Sequence, residues 1–195
     1  MTAPAKIPAT YADLEAVPPH LVAELLFGNL VTHPRPVPRH GAAGYNLGLE
    51  LGGPFQRGRG GPGGWIFLPE PELHLGPNVV VPDLAGWKAS RLPPAAVEQA
   101  FIEVAPDWIC EVISPSTEKH DKGEKRQLYA LYGIEHLWHL DPRPRTLEVF
   151  TRQDKNWLLT HTFLDQDEVR APPFAEIVFS LGLLWPFDPP SEPTT

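Results

Sequence analysis

The stretch Trp108-Ile-Cys-Glu-Val-Ile113 decides the fold, because it is a short apolar run with a single acid in its middle. A continuous apolar, β-branched run is typical of a central strand buried on both faces. The acid is Glu111, and an ionised carboxylate in such a strand is costly unless something compensates its charge. Two interpretations follow: a strand-end glutamate that pairs with a lysine or reaches solvent, or a metal ligand joined by other acids.

Strands and helices alternate on both sides of this strand. The predicted elements are a helix near 11–16, a strand pair over 24–33 with a turn or bulge at Gly28-Asn29, a helix over 40–51 ended by the glycine-rich run 58–64, strands over 65–75 and 78–87, a helix over 119–132, and strands over 136–140, 146–152 and 156–163. This interleaving favours an α/β (α+β) fold, with a central mixed sheet flanked by helices.

The length of 195 residues suits one domain, which we expect over 1–187, followed by a disordered proline-rich tail over 188–195. The chain contains no apolar run long enough to cross a membrane and no signal peptide, so we expect a cytoplasmic protein without a membrane partner. Cys110 is the only cysteine, which excludes an intrachain disulfide and a cysteine-based zinc site.

The formal charge of −8 argues against a protein that coats nucleic acid by bulk attraction. It does not exclude an enzyme that acts on nucleic acid. A site for a divalent cation needs clustered carboxylates, which make the local charge negative until the cation binds.

Asp83 and Lys125 are the side chains that could join Glu111. Asp83 follows Val79-Val-Val-Pro82. It either forms an Asx turn or is a second acid on a neighbouring strand. On the following helix, Asp121, Lys125 and Tyr129 share one face at i, i+4 and i+8. The pair Asp121–Lys125 is either a solvent-side ion pair or the source of a cation that positions water or stabilises charge on a phosphate.

Six motifs, in this order and spacing, resemble the Uma-two family of the PD-(D/E)XK endonuclease superfamily over nearly the whole chain. They are Glu24-Leu-Leu-Phe-Gly-Asn-Leu-Val; His40; Val81-Pro-Asp-Leu; Pro106-Asp-Trp-Ile-Cys-Glu-Val-Ile-Ser-Pro-Ser-Thr; Asp121-Lys-Gly-Glu-Lys-Arg-Gln-Leu-Tyr; and Gly133-Ile-Glu-His-Leu-Trp-His-Leu-Asp-Pro. The resemblance implies a restriction-endonuclease-like fold and a metal-dependent endonuclease that hydrolyses the phosphodiester bonds of DNA.

The same resemblance assigns roles to residues. Glu24, Asp83 and Glu111 would bind Mg²⁺, or Mn²⁺ in its place, and Lys125 would complete the catalytic set. Three further residues, His40, Asp121 and Tyr129, would contact these groups without binding the metal themselves. A homodimer is expected, since two sites are the simplest way to cut both strands of a duplex.

Two positions depart from the family pattern. Ile113 stands where the superfamily has its lysine, two residues after the strand acid, so Lys125 on the next helix is expected to take that role. Phe27 replaces an aspartate that is usual in the family, which we expect to remove a polar neighbour of Glu24. A catalytically silent binding module with the same fold is therefore the alternative function.

One basic pair lies outside these motifs. Arg57-Gly-Arg59, inside the glycine-rich run, could contact a phosphate backbone or could simply be a flexible turn. No Gly-Lys-Ser/Thr follows it, so it does not form a nucleotide-binding loop.

Overall fold

The computed structural model describes residues 7–188 of the chain. The strands in this part are β1 (Leu21–Leu26), β2 (Asn29–Pro34), β3 (Trp65–Pro69), β4 (Leu73–Leu75), β5 (Asn78–Val80), β6 (Leu84–Lys88), β7 (Trp108–Val112), β8 (His136–Asp141), β9 (Thr146–Gln153), β10 (Asn156–Leu164), β11 (Glu168–Val169) and β12 (Phe179–Ser180). The helices are α1 (Tyr11–Glu15), α2 (Pro38–Leu51), α3 (Glu118–His120) and α4 (Arg126–Leu131), with π-helical turns at Gly52–Gln56 and Asp121–Lys125 and 3₁₀ turns at Ala89–Arg91, Pro94–Val97 and Leu181–Leu184.

Strand β7, the predicted central strand, lies within a six-stranded sheet of order β10-β9-β8-β7-β6-β3. It pairs parallel with β8 and antiparallel with β6, so the sheet is mixed. All five residues of β7 are buried, as the apolar run predicts. The predicted fold class, a mixed sheet with flanking helices, is confirmed.

A second, four-stranded sheet of order β2-β1-β5-β4 carries Glu24 in the middle of β1. Strands β1 and β5 are paired at Leu25 and Val79. The chain leaves β5 toward Asp83, just before β6 of the large sheet. The small sheet therefore brings Glu24 close to the segment that leads into the large sheet.

The two faces of β7 contribute to different core layers, because side chains alternate along a strand. Trp108, Cys110 and Val112 belong to the layer that also contains the buried residues of α2. Ile109 packs in the opposite layer, which includes residues of α4 and of the small sheet. Glu111 is two residues after Ile109 and therefore lies on the same face of β7, so its carboxylate is directed toward α4.

The turn between β1 and β2 differs from the prediction. Leu26 and Asn29 are paired, so the two turn residues are Phe27 and Gly28, one position earlier than expected. Both have positive φ, 50° and 78°, which a type I′ hairpin turn requires. Phe27 lies in this turn and is 43% exposed, so the residue that replaces the family's aspartate affects the turn rather than the surroundings of buried Glu24.

Three other expectations change in detail. The predicted strands 65–75 and 78–87 are each divided between the two sheets, at points marked by prolines that cannot donate a ladder hydrogen bond. The predicted helix over 119–132 contains a π-helical turn at Asp121–Lys125. Asp188, expected to begin the disordered tail, accepts hydrogen bonds from Arg39, and 189–195 lie outside the described residues.

The boundaries of a single domain over 1–187 stay a prediction. Within residues 7–188, no helix is both long and apolar enough to cross a membrane.

Candidate active site

Glu111 and Lys125 form the centre of the candidate site. Lys125 Nζ lies 2.8 Å from Glu111 Oε1. The hydroxyl of Tyr129, one helical turn further along, donates a hydrogen bond to the same oxygen. All three side chains are buried, which is unusual for a glutamate and a lysine unless they are paired. The structure therefore brings strand β7 and the helix after it together at one oxygen atom.

Glu24 and Asp121 complete the surroundings of the Lys125 ammonium. Glu24 Oε1 lies 3.2 Å from Lys125 Nζ and also accepts a hydrogen bond of 2.8 Å from the backbone N–H of Val81. Asp121 Oδ1 lies 3.3 Å from the same Nζ atom. One ammonium thus contacts three carboxylates from β1, β7 and the π-helical turn.

Asp83 lies at the open side of this cluster and is not in contact with the ammonium. Its Oδ2 accepts a hydrogen bond of 2.8 Å from the backbone N–H of Val112, which joins the start of β6 to β7. His40 Nε2, from the first turn of α2, lies 3.5 Å from Asp83 Oδ1. The Asp83 side chain remains 22% exposed, whereas those of Glu24 and Glu111 are 1% exposed.

Lys125 keeps its charge in this environment. Burial lowers the pKa of Lys125, but Glu111 and Glu24, with smaller contributions from Tyr129 and Asp121, raise it well above its ordinary value. A lysine that stays protonated at neutral pH does not act as a general base. Its chemistry here is that of a fixed positive charge.

Three acids contact the Lys125 ammonium and Asp83 lies beside them, so carboxylates outnumber ammonium groups in the cluster. Burial raises the pKa of Glu111 well above its ordinary value, and Lys125 only partly opposes this. Burial also raises the pKa of Asp83 to about 6, against the opposing effects of His40 and Lys125. A site of this kind is stabilised either by protons or by a further cation.

The donor atoms fit a hard divalent cation in type, since carboxylate oxygens are the ligands that Mg²⁺ prefers. Within residues 7–188, Glu111 Oε2 accepts no hydrogen bond, and Asp83 Oδ1 has only the 3.5 Å contact with His40 Nε2. A complete set of three carboxylate ligands is not formed in the described part of the chain. The Lys125 ammonium lies between Glu24 and Glu111 and contacts both.

A cavity of about 270 Å³ opens onto these groups. Asp83, Glu111, Asp121, Lys125 and His40 all line it. The side chains that the sequence predicts for the site span 105 positions, from Glu24 to Tyr129, and meet at one place. Glu24 and Tyr129 lie directly behind the residues that line the cavity.

Glu70 and His33 also line the cavity and were missed by reasoning from the sequence. Glu70 follows β3 with a positive φ of 45°, and its backbone N–H donates a hydrogen bond to the carbonyl of Asp83. The signal for Glu70 was present: an acid between Pro69 and Pro71. His33 Nε2 lies 4.0 Å from Glu24 Oε2, a proximity that arises from pairing of β1 and β2 and has no local signature.

Ile113, two residues after Glu111, is a buried apolar residue directly after β7. Lys125 places its ammonium against Glu111 from the following helix instead. The ammonium that contacts Glu111 therefore belongs to a residue outside β7.

Comparison with known proteins identifies the family and the fold. A family model named Uma2 and described as "putative restriction endonuclease" matches residues 8–183. No curated protein matches. Among solved structures, the crystal structure of a "putative nuclease belonging to DUF820" from Anabaena variabilis superimposes with a TM-score of 0.73 and 22% identity, over 91% of this chain and 98% of that one. At this identity the similarity shows a shared fold, the restriction-endonuclease-like one. The family match spans most of the chain, and the chain therefore belongs to the Uma2 family of restriction-endonuclease-like proteins.

Proposed function

We propose that this chain is a Mg²⁺-dependent endodeoxyribonuclease that hydrolyses phosphodiester bonds at the cavity lined by Asp83, Glu111 and Lys125. The single observation that carries the proposal is the contact of a buried lysine with Glu111, beside a second acid that is open to a cavity. A lysine that serves only to neutralise one glutamate does not need an adjoining cavity lined by additional acids. The family match supports a nuclease-like function.

Lys125 would act by electrostatics. Phosphodiester hydrolysis builds negative charge on the phosphoryl oxygens, and a fixed ammonium in a water-poor site stabilises that charge strongly. Contacts to Glu24, Glu111 and Asp121 hold the ammonium in place, so little reorganisation is needed when substrate binds.

Asp83 and Glu111 would hold the Mg²⁺ ion, and Glu24 on β1 would complete its shell. Mn²⁺ would bind the same carboxylates. When bound, the ion supplies the Lewis acidity that attack on phosphorus requires.

The remaining predicted residues would position these groups. His40 would orient Asp83, and Tyr129 would orient Glu111 through its hydroxyl. Asp121 would hold the lysine from the side of its own helix turn.

Cleavage of supercoiled plasmid DNA and of single-stranded circular DNA tests the proposal. We expect nicking in Mg²⁺ or Mn²⁺, none in EDTA, and a loss of at least about 100-fold in Glu111→Gln and Lys125→Met. The matched control is Asp107→Asn, which changes another buried, ion-paired carboxylate away from the cavity.

Retention of metal-dependent cleavage in both site variants would contradict the proposal. Equal loss in Asp107→Asn would show that the site variants act through folding rather than chemistry. A homodimer, the expected state for cutting both strands of a duplex, is tested in the same preparations by analytical ultracentrifugation.

A catalytically silent binding module is the second candidate, and one observation favours it. Lys125 occupies the position between Glu24 and Glu111, and the described residues form no complete set of metal ligands. In that case the ion pairs stabilise the fold alone. Folded protein that binds Mg²⁺ by calorimetry but cleaves no nucleic acid, or that binds no Mg²⁺ at all, would support the module.

A further inference from the structure

A second, larger cavity of about 560 Å³ continues from the candidate site along helix α2. Asp83, His40 and Glu70 line both cavities, so the two share a wall at the site. From His40 to Gly52 the helix rises about 18 Å. We name this cavity the α2 groove. It is long enough to hold several linked units of a polymer whose reacting bond lies at Asp83.

The groove is open because α2 presents glycines on that side. A Cβ atom added at Gly48 would meet nothing closer than 3.9 Å, and one at Gly52 would meet nothing within 4 Å. Tyr45 and Leu49 line the same groove and are 68% and 55% exposed. An exposed aromatic ring beside an apolar floor is a surface on which a planar base can stack.

Two arginines line the groove beyond Gly53, after the end of the helix. Other arginines of this acidic chain are engaged: Arg39 Nη1 lies 2.7 Å from Asp188, and Arg91 Nη1 lies 2.6 Å from Asp107. Arg57 and Arg59 are exposed, and within residues 7–188 their side chains make no hydrogen bond, ion pair or ring contact. The groove therefore combines acids near the site with two unpaired guanidinium groups.

We infer that the α2 groove binds a single-stranded stretch of nucleic acid, with a base stacked on Tyr45 and phosphates at Arg57 and Arg59. The inference rests on the proposed function, because it takes Asp83 as part of the reacting site. The inference adds the substrate class, which is single-stranded nucleic acid rather than duplex.

Charge and chemistry both favour the single strand. Duplex binding draws most of its affinity from many phosphate contacts, whereas this chain has a net charge of −8 and places two unpaired arginines in the groove. A single strand gains affinity from stacking, which needs an exposed ring and an apolar surface rather than a basic face. Tyr45 and Leu49 provide both.

Fluorescence anisotropy with a labelled oligo(dT) of about 12 nucleotides, against a blunt hairpin duplex of similar length, tests the inference. Binding is measured in Ca²⁺ and in EDTA, independently of cleavage. We expect tighter binding of the single strand, and a loss of roughly five- to hundredfold in Tyr45→Ala that Tyr45→Phe restores.

The arginines are tested through salt dependence. Each phosphate contact to a single strand contributes about 0.7 to the slope of log K against log salt, so Arg57→Ala/Arg59→Ala should make the slope shallower by about 1.4. The control is Lys155→Ala/Arg170→Ala, which removes the same charge from exposed positions outside the groove. The control should bind and titrate as the unchanged protein does.

Gly48→Met fills the groove without disturbing the fold. Its Cβ meets only an ordinary contact with Leu84, and loss of a helical glycine raises helix stability. We expect weaker oligo(dT) binding together with an unchanged or higher melting temperature. Duplex binding as tight as single-strand binding, no binding of either, or groove variants that match the control would each overturn the inference.

The outcomes separate this inference from the nuclease proposal. Groove-dependent binding of oligo(dT) without cleavage would leave the inference standing and contradict the nuclease. Metal-dependent cleavage of duplex alone, unaffected by the groove variants, would support the nuclease and overturn the inference.

Discussion

The Nζ atom of Lys125 lies 2.8 Å from Oε1 of Glu111, and both side chains are buried. Removing one partner of a buried ion pair leaves the other charge uncompensated in a low-dielectric environment. We expect Lys125→Met to lower the free energy of unfolding by about 3–5 kcal/mol at pH 7, measured by urea denaturation. The loss should shrink as pH falls, because burial raises the pKa of Glu111 and its protonated form needs no ammonium partner.

Lys122→Met is the matched control for that substitution. Lys122 lies 3.0 Å from Glu118 in an exposed i,i+4 pair on the same segment. Such pairs contribute about 0.3–0.5 kcal/mol, so the control should be nearly neutral. Equal effects of the two variants would contradict a special role for the buried pair.

Asp83 gives the site a pH dependence near 6. Its pKa is raised in the folded protein to about 6, from 3.8, chiefly by burial. The folded state therefore binds the proton more tightly than the unfolded chain, so this contribution to stability is complete below about pH 4 and is lost as pH rises through about 6. As pH rises through this window without metal, the melting temperature of Asp83→Asn should increase relative to that of the wild type.

The stabilisation of the protein by Mg²⁺ should increase as pH rises. The cation competes with the proton for Asp83, so the rise in melting temperature on adding Mg²⁺ should be small at pH 5 and increase through pH 6 to 8. Asp83→Asn should abolish the increase. A Mg²⁺ effect that is independent of pH over this range would exclude Asp83 as a ligand.

Tyr129→Phe isolates the hydroxyl that donates to Glu111. A buried hydrogen bond to a charged group contributes about 1.5–3 kcal/mol, so the variant should be destabilised by that order in urea denaturation. Tyr11→Phe removes a comparable bond, from Tyr11 to Glu72, at the surface and should change stability by less than about 0.5 kcal/mol. If both variants behave alike, the Tyr129 hydroxyl does not position Glu111.

Phe27→Asn should stabilise the protein. Phe27 adopts a φ of 50° in the hairpin turn, a conformation that costs an ordinary residue about 1–2 kcal/mol and that asparagine tolerates. A gain of about 1 kcal/mol in the free energy of unfolding is expected. Phe27→Ala, which keeps the same backbone cost, should show no comparable gain.

The sequence predicts the central strand and its acid well, because burial on both faces leaves a continuous apolar run over Trp108–Val112. It also predicts the side chains that meet at Lys125, since their motifs follow a family order. The pattern alone does not reveal which oxygens the ammonium contacts. Those contacts depend on how β1 of the small sheet approaches β7 of the large one.

Local propensity fails where tertiary contacts outweigh it. The Gly28-Asn29 pair predicts a turn or bulge at those two residues. In the structure the Phe27 N–H donates to the side chain of Asn78 on β5, which favours a turn one residue earlier. The Pro69-Glu70-Pro71 sequence marks Glu70, but its position at the cavity depends on the pairing of β3 with β6.

Cys110 is fully buried beside Glu111, and burial raises the pKa of its thiol well above the ordinary value. A thiol of this kind reacts slowly with maleimides, because the reactive thiolate is scarce and shielded. The chain therefore has no competing reactive cysteine of its own. A cysteine introduced at an exposed position would take up a fluorophore or spin label selectively, so motion at the groove could be followed in otherwise unaltered protein.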